Sequence, residues 1–183
     1  MSRLVRRAGR QGQSMVEFAL ILPVFLLVLM GMLEFGIAFD HRNAMAYAVR
    51  EGARVGASLG NGGAQPAGVD PAILVAVQRG LTDPILIENI TSIEIYQADT
   101  AGQPVAGKID SYDRAGNPVA SPGWPATSRV PGLNGDSIGV RVVYDFHPAT
   151  PLGTMVGFFV NGNPPYTTIR MTDATVMKIE PTP

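Results

Sequence analysis

Residues 12–36, GQSMVEFALILPVFLLVLMGMLEFG, decide the architecture of this chain. Most of the stretch suits hydrocarbon, since Ala19 to Leu33 carries no charged side chain. Yet a carboxylate, Glu17, stands at its front edge, five residues after Gly12. The preceding residues, MSRLVRRAGRQG, hold four arginines and no acid. From Phe18 to Phe39 the chain would form roughly 33 Å of helix, enough for a hydrocarbon core of about 30 Å. Arginines on the near flank keep that side cytoplasmic and send the C-terminal part across the membrane. A cleavable secretory signal fits poorly, because the apolar run is too long and no small-x-small site closes it before Asp40.

Outward from this stretch, residues 40–59 read as a continuation of the helix, with no Gly-Pro break after Phe39. Ala44, Ala48, Gly52, Gly56 and Gly60 recur every fourth residue, one nearly straight stripe on a helix. Such a stripe lets another backbone approach closely, either a sister subunit or the chain's own sheet. Glu34, near the far end of the span, is expected in the outer headgroup region in contact with water, with Arg42 as a more distant partner. GNGGAQPAG (60–68) reads as a flexible turn. Asp70 before Pro71 predicts a helix start with Asp70 as N-cap, the helix turning Ile73, Val77, Ala76 and Gly80 towards a core.

Three strands follow from alternation. NITSIEIYQAD places Ile93 and Ile95 on one side. SIGVRVVYDFH places Ile138, Val140, Val142, Tyr144 and Phe146 on one face, with Arg141, Asp145 and His147 on the other. TTIRMTDATVMKIE keeps Ile169, Met171, Met177 and Ile179 in phase. PLGTMVGFFV (151–160) reads as a short helix or an apolar loop on the sheet. The expected fold class is therefore α+β: a long membrane-spanning N-terminal helix, then a small antiparallel-sheet domain covered by that helix. The boundaries are 1–12 for a leader, 13–59 for the helix with its span at 18–39, and 60–183 for the exported domain, with a Gly/Pro-rich insertion at 99–136. Inside the insertion, DTAGQPVA (99–106) and DRAGNPVA (113–120) repeat one pattern, predicting two similar turns. A calcium site from Asp99, Asp110 and Asp113 is the rival use of those acids, without EF-hand spacing to support it. Trp124 is expected to cap the sheet.

The Gly12–Glu17 spacing resembles a type IV prepilin processing site, in which a membrane-embedded aspartyl peptidase cuts after the glycine. That resemblance implies a mature chain starting at Gln13, with Gly12, Gln13, Glu17 and Phe18 as the processing residues. The whole pattern is similar to the TadE-like family, pseudopilins of tight-adherence (Flp) pilus systems. It rests on Glu17-Phe18, Pro23, Glu34-Phe35-Gly36 and AVREGARVGA (48–57), with a looser echo in VRVVYDFHPATPLG and ATVMKIEP. Here Gln13 stands where many type IV pilins begin with phenylalanine, which bears on N-methylation.

The resemblance implies a minor pseudopilin of pilus assembly, pilin-like in fold. It would sit single-pass in the bacterial inner membrane with its N-terminus cytoplasmic and its C-terminal domain periplasmic. A place in an extracellular pilus, with a role in adhesion or secretion, is the further implication. Partners are a prepilin peptidase, other pilins and the inner-membrane assembly platform. Glu17, once cut, would pair with a neighbour's new α-amine and fix register, the best-attested use of a buried charge pair. Glu34, Ala44, Ala48, Gly52 and Gly56 are the candidate assembly and packing residues. The alternative is an uncleaved signal-anchored periplasmic protein that binds a partner or a glycan.

Other classes have little material. The chain has 183 residues, no cysteine and two histidines, His41 and His147. It carries no G-x-S-x-G, H-E-x-x-H, phosphate loop or dinucleotide fingerprint, so neither an enzyme, a cofactor nor a metal centre is expected. A membrane-tethered hydrolase would have to use Asp145 and His147 without any nucleophile of known setting. Loss of residues 1–12 would remove four of fourteen basic residues and no acid, taking the net charge from −1 to −5. Such a chain is a poor binder of phosphate backbones, so nucleic acid is not an expected partner.

Overall fold

A computed structural model describes residues 8–82, 84–132, 134–153 and 167–180 of the chain, with the side chains of 8–11 and of Pro84 left out. The arginine-rich start of the leader and most of the 151–160 stretch lie outside the described residues; Leu152 and Gly153 are helical. The chain divides into two compact units. One comprises Met1–Ile37 and Pro148–Thr167, the other Ala38–His147 and Thr168–Pro183.

The first element, α1, runs from Ala8 to Leu59 and contains Pro23. Ala, Leu, Gly and Val are its commonest residues, and a proline is tolerated in an apolar spanning helix because local adjustments re-satisfy the freed backbone groups. Its end is chemical: Gly60 has φ of 59° and its N–H reaches back to the Gly56 carbonyl at 3.0 Å. A left-handed residue just past the helix is the usual glycine stop.

The second unit is an α+β domain. After a short 3-10 turn at Pro66–Gly68 come α2 (Val69–Gly80) and a five-residue helix, α3 (Pro84–Glu88). The strands are β1 (Ile90–Ala98), β2 (Pro104–Tyr112), β3 (Ser137–Phe146) and β4 (Ile169–Lys178). They form one antiparallel sheet in the order β2-β1-β3-β4. Ile93 faces Val142 and Ile95 faces Val140 across β1 and β3. This pairing lines up the alternating apolar residues on one face, and Ile93, Ile95, Ile138, Val140, Val142 and Tyr144 are all fully buried. That face meets α2 and the 38–59 stretch of α1. Ile73 and Val77 come from α2, and Met45, Ala48, Val49 and Ala53 from α1, all with no exposure.

Two expectations need correction here. Asp70 is not the N-cap of α2: the 3-10 turn runs straight into the helix, Gly68 takes the cap position, and Asp70 falls in the first turn. Its carboxylate instead accepts from Arg129 Nη2 at 2.6 Å and from the Tyr112 hydroxyl at 3.1 Å. The Gly/Pro-rich insertion also hides a strand, β2, which pairs with β1. It starts at a proline and bears Gly107 at φ 76°, both tolerated because β2 is at the sheet edge.

The repeated octapeptide does build the same turn twice, once at each end of β2. Asp99 Oδ1 accepts from the N–H groups of Ala101 and Gln103, both at 2.8 Å. Asp113 Oδ1 accepts from those of Ala115 and Asn117 at 2.9 and 2.8 Å. In each, the glycine sits at positive φ, Gly102 at 78° and Gly116 at 88°. The hydrogen bonds to its turn hold the Asp113 carboxyl below its usual range, the Asn117 side chain first among them. A nine-residue strand separates the two turns, roughly 30 Å at the usual rise. Asp99, Asp110 and Asp113 are therefore not brought together.

Trp124 is fully buried, and it belongs to a polar cluster rather than a plain apolar cap. Asp110 Oδ1 accepts from the Trp124 backbone N–H at 2.8 Å, and the Arg129 guanidinium lies 4.8 Å from the indole centroid. Arg129 is the cation between Asp70 and, at 3.7 Å, Asp110. Burial and the adjacent Asp70 carboxylate push the Tyr112 phenol far above its ordinary range. The cluster ties α2, β2 and the segment from Trp124 to Arg129 together.

Candidate processing and assembly helix

Gly12, Gln13, Glu17 and Phe18 all lie on α1 and are exposed. The Gln13 side-chain amide donates to Glu17 Oε1 at 2.9 Å, a one-turn pair. A Cβ added to Gly12 would meet nothing within 4 Å. Glycine inside a helix is about 1 kcal/mol worse than alanine, and no described contact compensates for it here.

Beyond Glu17 the helix is apolar on every side. Its most apolar 18-residue window has a mean hydropathy of 2.5, and none of that window is buried by the rest of the chain. Phe18 is 63% exposed, Leu20 73% and Phe35 79%. A helix hydrophobic all round belongs in a larger core or a membrane. Among the described residues this is the one helix long and apolar enough to cross a bilayer.

Glu34 breaks the pattern differently from the sequence expectation. It is buried, with only 7% of its surface exposed. Within its own unit, its carboxylate accepts from the backbone N–H of Ala149 at 3.2 Å and from that of Thr150. Two N–H groups are sound partners for a desolvated carboxylate, because charge-assisted bonds of this kind are about twice as strong as neutral ones. Arg42, two turns further on, is exposed. Sequence reasoning had no access to this bond, which joins residues 115 positions apart.

The small-residue stripe faces inward within the second unit. A Cβ on Gly52 would come 2.5 Å from Val77 Cγ2, and one on Gly56 would come 2.7 Å from Ile138 Cδ1. Ala48 is fully buried, and a Cβ on Gly80 of α2 would come 2.7 Å from its Cα. Ala44 is half-buried. Ala48, Gly52 and Gly56 therefore pack on the chain's own α2 and sheet. Nearby, His41 Nδ1 lies 2.6 Å from the Tyr144 hydroxyl, with the imidazole edge-on to Tyr144 and Phe146.

Asp145 and His147 share no hydrogen bond among the described residues. Asp145 is bonded to Arg170 at 2.9 and 3.1 Å and to the Thr91 hydroxyl at 3.2 Å, and the Arg170 bonds hold its carboxyl below the usual range. His147 is exposed. Among the described residues no group of three metal-ligating acids, histidines or cysteines comes together.

Residues 12–54 match the model of the TadE-like protein family. The match opens on Gly12 and closes at Arg54, so it covers the apolar helix and most of its packed continuation. It does not extend to the strands, and the looser likeness of the C-terminal segments falls outside it. No curated protein and no solved structure matches the chain.

Proposed function

We propose that this chain, TadE-like over residues 12–54, is a minor pseudopilin of a tight-adherence (Flp) pilus system. In this reading it is cut after Gly12 by a prepilin peptidase and anchored in the inner membrane by the span at 18–39. The observation that carries the proposal is the helix from Gly12 to Phe39. Most of its apolar side chains are exposed, and it opens with a glycine that no described neighbour requires. Such a helix needs a lipid or protein environment, and pilus assembly supplies both in turn.

The leader's arginines favour a cytoplasmic N-terminus and a periplasmic α+β domain. Cutting after Gly12 would turn Gln13 from a side-chain partner of Glu17 into the bearer of a free α-amine. Glu17 of one subunit and that amine of the next would then form a charge pair fixing axial register. Neighbouring pilins, the peptidase and the assembly platform are the partners, and the chain's role is structural rather than enzymatic.

The test is the intact mass and N-terminal sequence of the protein extracted from its native membrane. A chain beginning at Gln13 is expected. A chain that keeps its arginine leader would overturn the processing and return the question to a signal-anchored periplasmic domain that binds a partner or glycan.

A further inference from the structure

The distance between the two carboxylates of the span sets up a problem that Glu34 solves. Phe18 to Leu33, the stretch strictly between Glu17 and Glu34, is 16 residues. That is roughly 24 Å of helix, short of a hydrocarbon core of about 30 Å. Continued to Phe39, the apolar helix reaches roughly 33 Å and suffices. Glu34 then lies within the acyl region, about 7 Å of helix before Phe39. An ionisable group at that depth faces protein and pairs with it. Glu34 does so: it is buried, and the N–H groups of Ala149 and Thr150 fill its carboxylate.

The donors must then be at the same depth. Pro148–Gly153 is suited to it. No Asp, Glu, Lys or Arg occurs between Asp145 and Arg170, a run long enough to enter lipid without carrying a charge with it. Two of its own backbone N–H groups are spent on Glu34, and that of Leu152 bonds to the Thr150 hydroxyl at 3.3 Å. Non-helical backbone is tolerated at membrane depth only where protein satisfies it. On the helix, Leu27, Met30, Gly31 and Ile37 are half-buried on the Glu34 face, while Val28, Leu29, Met32 and Leu33 are exposed. That stripe and Pro148–Gly153 belong to one compact unit.

We propose that Pro148–Gly153, held on Glu34, is a second lipid contact of the chain, lying at the acyl–headgroup boundary at the end of the span far from Gly12. It rests on the reading of residues 18–39 as a membrane span. The chain therefore holds the bilayer by a helix and by the segment that leaves β3, and Glu34 is the clasp between them.

The absence of cysteine allows a direct test on the full chain. Single variants Leu26→Cys, Ala149→Cys and Ala64→Cys are labelled with bimane and reconstituted in phosphatidylcholine vesicles brominated near the carboxyl end of the acyl chain. Leu26, Ala149 and Ala64 are exposed on the chain, and Ala64 lies beyond the end of α1, roughly 30 Å of helix past Phe39. Bromolipid is expected to quench Leu26 and Ala149 and to leave Ala64 bright. Adding Glu34→Ala to Ala149→Cys should abolish its bromolipid quenching and open it to aqueous iodide, whereas Glu34→Gln, which keeps an acceptor oxygen, should preserve much of it.

If Leu26 escapes quenching, the span itself is wrong. If Leu26 is quenched and Ala149 is not, the second contact is overturned. Shielding of Ala149 from both quenchers would replace lipid with a second copy of the chain. Quenching of Ala149 that survives Glu34→Ala would remove Glu34 as the clasp.

Discussion

Two stretches of one helix use the same residue for opposite ends. In the 38–59 stretch, Gly52 and Gly56 have Val77, Ile73 and Ile138 so close that a methyl group would collide with them. In the 12–37 stretch, Gly12 and Gly36 have nothing within 4 Å of an added Cβ among the described residues. The first pair is explained by the fold of this chain, because glycine there lets α1 settle onto the sheet. The second has no such explanation among the described residues. Small residues in a helix therefore do not identify an assembly face by spacing alone. The neighbours decide.

The sharpest way to break the comparison is to strike the packed side at its most buried charge. Arg129 is fully buried between Asp70 and Asp110, so Arg129→Met leaves two carboxylates without their cation. Removing one partner of a buried pair typically costs about 3–5 kcal/mol. Trp124, the single tryptophan, lies against this guanidinium and reports on it. Urea unfolding followed by Trp124 fluorescence should show that loss, and an unchanged midpoint would mean that the domain does not depend on this cluster. Gly80→Ala comes next, because the added Cβ meets the rigid Ala48 backbone at 2.7 Å, and overpacking of this kind costs about 1–3 kcal/mol. Gly56→Ala presses only on the flexible tips of Ile138 and Ile73, and the gain of about 1 kcal/mol in helix propensity offsets part of it. Gly80→Ala should therefore unfold at clearly lower urea than Gly56→Ala; the reverse order would contradict the packing.

How much of this was readable beforehand follows the range of the forces involved. The alternation in SIGVRVVYDFH and the spacing of Ile73 and Val77 are local, and they fixed β3 and the inner face of α2 without help. The turns at Asp99 and Asp113 were legible too, since an aspartate accepting from its own backbone needs only the next four residues. β2 is not legible in the sequence, because an edge strand with a proline at its start and a left-handed glycine inside has no alternation to read. Asp70 reads locally as a cap because Asp before Pro is that signature, whereas its partners, Tyr112 and Arg129, are 42 and 59 residues away. The Glu34 bond to residues 149 and 150 is longer still. The reading of Gly12 and Glu17 is of another kind, because it rests on a spacing and on no packed neighbour among the described residues.

Acid offers a smaller probe of the packed unit. Arg170 holds the Asp145 carboxyl below its unfolded value, the depressed-pKa case. The stabilisation is complete above the unfolded Asp value of about 3.9 and is lost as pH falls through the lower folded value. The urea midpoint should thus lose nothing to this pair between pH 7 and about 5, and Asp145→Asn should flatten part of the loss below about pH 4. A variant that follows the parent's acid slope throughout would show that the pair, exposed on its Arg170 side, contributes nothing.

The smallest effect on folding belongs to the open glycines, and there the small effect is the point. Gly36→Ala adds a methyl group to open space, so it should leave the Trp124 urea transition where it is or raise it by no more than the helix-propensity gain of about 1 kcal/mol. Gly12→Ala should be equally silent in unfolding. If the two stretches differ as the neighbours imply, Gly12→Ala will nevertheless leave the leader uncut in native membranes, while Gly56→Ala will be cut as the parent is. A Gly12→Ala chain still processed to Gln13 would mean that the glycine serves neither the fold nor a peptidase. A fall in the Trp124 midpoint on Gly36→Ala would place a packed neighbour where the described residues have none, and would return the 12–37 stretch to the same rule as the rest of the helix.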